Sequence, residues 1–170
     1  MKGLALVVAG CTASLLTSCA SQPQIRTPLP PGVTNPRPPQ ADLPQPVAAF
    51  VGVWAGRWET VNFTLGAGSV GVDETMIIES VMPISNDSYQ AYLIISYGQG
   101  PDPHPPGFFR TTGVIGQDGV LRIKPFPNGS ATTARVSANR QLLHIEHRGI
   151  SRAGGLPVIV RGTLWRTTLP

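Results

Sequence analysis

Cysteine is nearly absent from this 170-residue chain: there are two, Cys11 and Cys19, both close to the amino terminus. Beyond Cys19 there is no thiol to act as a nucleophile and no disulfide to staple a core. Charge is sparse as well, at 13% of residues. From Val47 onward ten basic and eight acidic residues leave a net charge of only +2, and the arginines are scattered singly. Without a basic stripe there is no electrostatic footprint for nucleic acid. Only three histidines occur: His104, His144 and His147. A zinc site needs three or four converging ligands. In His144-Ile-Glu146-His147 a strand would turn His144 and Glu146 one way and His147 the other, unlike the helical pattern whose histidines share a face. Glu59 and Glu79 are the carboxylates expected mid-strand, on the solvated face. A Gly-x-Ser-x-Gly elbow is missing. Gly66-Ala-Gly68-Ser-Val-Gly71 precedes a strand rather than a helix, so it reads as a hairpin loop, not a phosphate cradle. Neither catalysis nor a metal or cofactor is expected.

The longest uncharged apolar run, Gly3 to Leu16, spans 14 residues. That is short of the roughly 20 needed for a membrane-spanning helix and fits the core of a signal peptide. It follows the single charge of Lys2 and ends in Leu16-Thr17-Ser18-Cys19. This segment resembles the bacterial lipoprotein signal. The resemblance implies that residues 1–18 are removed, that the Cys19 thiol carries a diacylglyceryl group and that the new amine is acylated. Several acyl chains on one residue make a stable anchor where one chain does not. Ala20-Ser21 after the cysteine, with no aspartate, implies the outer membrane, on its periplasmic face or at the cell surface. Val8-Ala9-Gly10-Cys11 fits the same pattern but would leave only the eight residues Gly3 to Gly10 as apolar core; Cys19 is preferred.

Between Ser21 and Pro46 nine prolines punctuate a run with little apolar content. Proline lacks the amide donor and fixes φ, which excludes helix and sheet interior and favours extended polyproline II. Residues 19–46 are therefore expected to be a lipidated cysteine and a disordered, Pro-rich spacer reaching roughly 80 Å at full extension.

Residues 47–170 are one domain's worth of chain, and helical periodicity is absent from them. Apolar or alternating segments recur every 10 to 15 positions between turn signals. They predict eight strands: Gly52–Thr64, Val72–Met82, Tyr89–Tyr97, Phe109–Ile115, Val120–Lys124, Ala131–Ser137, Leu142–Arg148 and Pro157–Thr167. Asp118-Gly119 and Asn128-Gly129 are strong hairpin signals, because such pairs tolerate positive φ. Consecutive strands joined by short turns predict an all-β antiparallel meander. Eight of them predict a closed up-and-down barrel, which leaves no exposed edge.

The first strand opens Gly52-Val-Trp54-Ala-Gly56-Arg-Trp58. Gly-X-Trp at the head of a β-meander resembles the lipocalin-like, or calycin, barrels. The resemblance implies that Trp54 plugs one end of the barrel and that an arginine of the last strand, Arg161 or Arg166, lies across its ring. Arg166 is preferred, and a cation–π contact of this kind contributes about 0.5–2 kcal/mol.

An eight-stranded barrel is either filled by side chains or hollow enough for one small ligand. The small strand residues Ala91, Gly113, Ala134 and Gly162 suggest an interior void. Tyr92, Tyr97, His104 and Phe109 are the candidates for contact with a ligand or partner. Two of them, His104 and Phe109, lie in or beside the one long loop, Gly98 to Gly107, which holds four prolines. The expected function is a membrane-anchored barrel that binds a small apolar or amphipathic ligand. The alternative is a structural lipoprotein that docks an envelope protein or inhibits a protease.

Overall fold

The computed structural model describes residues 24–60, 71–99, 105–123, 130–150 and 157–170. Eight antiparallel strands run in chain order: β1 Gly52–Thr60, β2 Val72–Ser85, β3 Ser88–Tyr97, β4 Gly107–Gly116, β5 Leu121–Ile123, β6 Ala131–Val136, β7 Leu142–Ile150 and β8 Pro157–Thr167. Each pairs with the next, and β8 returns to pair with β1, so the sheet is a closed barrel. All eight expected strands are present. Their limits move by a few residues, most at β2, which runs on to Ser85. Residues 61–64, expected at the end of β1, and Lys124, at the end of β5, lie outside the described residues.

Alternation along each strand sets the inside of the barrel. Trp54, Met76, Ile78, Ala91, Leu93, Ile95, Ile115, Leu121, Ala134, Leu143, Ile145 and Leu164 form the interior cluster. The register slips between Ile78 and Ser80, where β2 bulges at Glu79. That extra residue lets both Ile78 and Val81 point inward. Glu79 itself is turned outward to Arg110, 3.5 Å away, and Glu59 is exposed.

One end of the barrel is closed. A four-residue helix, α1 (Gln45–Ala48), was not anticipated; its prolines sit where a helix tolerates them, Pro44 as the cap and Pro46 in the first turn. It delivers Leu43, Val47 and Phe50 onto Trp54, which is wholly buried. Burying an aromatic side chain of 150–250 Å² at ~25 cal/mol per Å² stabilises by about 4–6 kcal/mol before entropy. Trp54 Nε1 donates to the Phe50 carbonyl at 2.9 Å.

Residues 24–44 form neither strand nor helix, as their prolines dictate, yet they rest against the outer wall. Ile25, Leu29 and Val33 pack on Val53, Ile77, Ile94 and Leu169. A 2.7 Å hydrogen bond joins the Thr27 and Thr75 hydroxyls, Ser96 Oγ donates to the Pro28 carbonyl, and Asn35 Oδ1 accepts from the Leu169 amide at 2.8 Å. This docking explains why Ile77-Ile78 and Leu93-Ile94-Ile95 are continuous apolar runs: those strands are covered on both faces.

Candidate functional site

Two places in the barrel bring the chemistry-bearing residues together. The first is the closed end. Trp54 and Arg166 are direct partners across the β1–β8 seam, and the Arg166 guanidinium carbon lies 4.1 Å from the centre of the Trp54 ring. The same guanidinium donates through Nη1 to the Val51 carbonyl at 2.9 Å, through Nη2 to the Ala49 carbonyl and through Nε to the Arg140 carbonyl at 3.0 Å. Gly52 makes room for this fork: its φ is +149°, and a Cβ there would sit 2.5 Å from Arg166 Nη1. Arg161 points outward and pairs with Glu146 at 2.9 Å. The ring face and three carbonyls fix Arg166 over the buried Trp54, so this end is a structural plug.

The second is a cavity of about 210 Å³ at the opposite end. That is the rim at which β1, β3, β5 and β7 finish and β2, β4, β6 and β8 begin. Its aromatic wall is Trp58 of β1, Tyr97 of β3 and Phe109 of β4; the Tyr97 and Phe109 rings are tilted at 50° with centroids 6.4 Å apart. Ile95, Ile145, Val160 and Gly162 supply the aliphatic lining. Ala91, Ala134 and Gly113 do not border it. The two alanines are packed in the filled part of the interior, and a Cβ on Gly113 would meet Leu121 Cδ1 at 2.6 Å. Small residues there accommodate large neighbours and leave no void.

Three polar side chains complete the cavity: Glu74, Thr132 and His147. Glu74 shares the inward face of β2 with Met76 and Ile78. It lies between Gly56 of β1 and Tyr97 of β3 in the register. Among the described residues it has no hydrogen-bond or ion-pair partner. Burial pushes its carboxyl up to about 7, because an ionised carboxylate loses hydration there that nothing replaces. It keeps some accessible surface where it faces the cavity. His147 Nδ1 and Thr132 Oγ1 share a 2.8 Å hydrogen bond, and burial pushes the imidazole below its usual range. No group of three or more His, Cys, Asp or Glu side chains comes together among the described residues.

Of the contact candidates, Tyr97 and Phe109 line this cavity. Tyr92 has the opposite parity and stands on the outer face, 39% exposed. Since Tyr92 and Tyr97 are five positions apart on one regular strand, both cannot face inward. His104 and Cys19 lie outside the described residues. Glu74 and His147 were not singled out as inward groups. The available signal was parity: Val72-x-Glu74-x-Met76-x-Ile78 and Leu143-x-Ile145-x-His147 each carry one polar residue on an otherwise apolar face.

Closed meander, tryptophan plug and rim cavity together define a small eight-stranded antiparallel barrel, plugged at one end and hollow at the other. No protein-family model and no curated protein sequence matches the chain. Among solved structures it is similar to an S-type phycobiliprotein lyase, CPES, from Guillardia theta, with a TM-score of 0.49 and 12% identity over 72% of this chain and 90% of that one. It is also similar to the siderocalin Ex-FABP, which functions through dual ligand specificities, with a TM-score of 0.42 and 14% identity over 70% of this chain and 74% of that one.

Proposed function

We propose that the protein is a lipid-anchored binding module whose barrel holds one small, largely apolar molecule, and that it is not an enzyme. The observation that carries this reading is the cavity: a closed, otherwise filled barrel leaves about 210 Å³ empty at one end and lines it with three aromatic rings. A cavity of about 150 Å³ is enough to bind benzene, so the occupant is a compact molecule of about one or two rings. Apolar walls with a few convergent polar groups are the usual make-up of a ligand site. Attachment through Cys19 to the outer membrane rests on the Leu16-Thr17-Ser18-Cys19 lipobox; residues 24–44, packed on the barrel wall, belong to the barrel and not to a spacer.

The test is native mass spectrometry of the mature protein purified gently from bacterial membranes, beside a Val160→Phe variant that fills the cavity. A bound small molecule that is lost on denaturation and absent from the variant is the expected result. A bare wild-type mass, together with no response of tryptophan emission to small aromatic compounds, would overturn the reading.

A further inference from the structure

A cavity that only had to hold an apolar body would have no use for an inward carboxylate. An ionised group in such surroundings is costly unless it is paired. Among the described residues no basic side chain pairs it. Arg57 pairs with Asp73, Arg110 with Glu79, Arg122 with Asp118, and Arg148 and Arg161 with Glu146, all at the outer surface. Among the described residues no lysine or arginine lines the cavity. The cavity that Glu74 lines also carries the aromatic set Trp58, Tyr97 and Phe109, with Tyr97 its neighbour in the register. Aromatic faces attract cations through the ring quadrupole, and cages of such rings recognise ammonium groups.

Resting on the reading of the cavity as a ligand site, we propose that its ligand is an organic cation: an ammonium head group facing Glu74 within the aromatic wall, carried on a compact apolar body. The ligand supplies the positive charge that the protein withholds. His147 does not compete for the carboxylate at neutral pH, because its desolvated imidazole is uncharged there. In the register Glu74 stands between Gly56 of β1 and Tyr97 of β3. Acid pH protonates Glu74, so cation binding weakens as pH falls through about 7.

The test compares benzylamine with benzyl alcohol, which has the same size and no charge, on the full chain in detergent, read by tryptophan emission and by calorimetry. At about pH 8 benzylamine is expected to bind at least about tenfold more tightly, in line with a charge-assisted contact in a desolvated site. Glu74→Gln is expected to erase that preference while leaving benzyl alcohol binding within about threefold, which shows that the variant is folded. Titrating the unmutated protein down to about pH 5 is expected to erase it too, without any substitution. Equal affinities for the two compounds at about pH 8 would overturn the cation proposal and leave the ligand cavity standing. Failure of both to bind would remove the cavity reading and the proposal with it.

Discussion

Replacing Glu74 by glutamine keeps the shape of the side chain and removes its charge, so its effect on stability isolates what burial of that carboxylate costs. An acid whose pKa is higher in the folded than in the unfolded protein holds its proton more tightly when folded. The stability it contributes is full below the unfolded value of 4.5 and is lost as pH rises through about 7. At 1.36 kcal/mol for each pH unit between those values, the loss is about 3 kcal/mol. The surface that Glu74 keeps along the cavity admits water and brings this to about 2–3 kcal/mol. The ligand-free Glu74→Gln protein is therefore expected to match the parent at about pH 4 and to exceed it by about 2–3 kcal/mol at about pH 8.5, or roughly 10 °C in Tm for a domain of this size. Urea unfolding followed by tryptophan emission reads this directly, since Trp54 is wholly buried. His147 works with the opposite sign: its depressed pKa contributes stability above the ordinary value of 6.5 that is lost as pH falls. Both proteins carry it, so it cancels in the difference. A gain of equal size at both pH values, or none at the alkaline one, would refute the reasoning.

At the closed end, Arg166→Ala removes the cation–π contact and strands the Val51 and Ala49 carbonyls, at an expected cost of about 3–4 kcal/mol in urea unfolding. Arg166→Lys is expected to recover less than half of that, because an ammonium restores the charge but not the planar fork; full recovery would show that charge alone matters. Cys19→Ser is expected to abolish metabolic labelling with fatty acid, whereas Cys11→Ser leaves labelling intact. The reverse pattern would move the lipidation site to Val8-Ala9-Gly10-Cys11.

The barrel was legible because its signals are local. Alternation within each strand, Asp118-Gly119 at a turn where Gly119 has a φ of +65°, and Gly52-X-Trp54 at the start each act over a few residues. What escaped reading acts over long separations. The segment at residues 24–44 looks like pure spacer in composition, and its prolines do keep it irregular. Its docking depends on contacts from Thr27 to Thr75 and from Asn35 to Leu169, 48 and 134 positions apart, and nothing near Ile25 or Leu29 announces them. The bulge at Glu79 is equally silent, and it reverses the parity of everything after it in β2.

Two desolvated charges stand at opposite ends of one barrel, and how each is treated separates structure from function. Arg166 is half-buried, and its cost is offset on every side by a ring face and three carbonyl oxygens. Such a group stabilises the fold, and its surroundings leave it nothing further to bind. Glu74 is held deeper, by a strand whose inward neighbours are Met76 and Ile78, and among the described residues no group offsets it. A group that lowers the stability of the ligand-free protein at neutral pH, in a cavity with room beside it, costs the fold free energy that a ligand can return on binding. The first charge is legible in the sequence through a resemblance that names its partner. The second is not, because a lone glutamate in a strand looks like surface until the parity of its neighbours is counted.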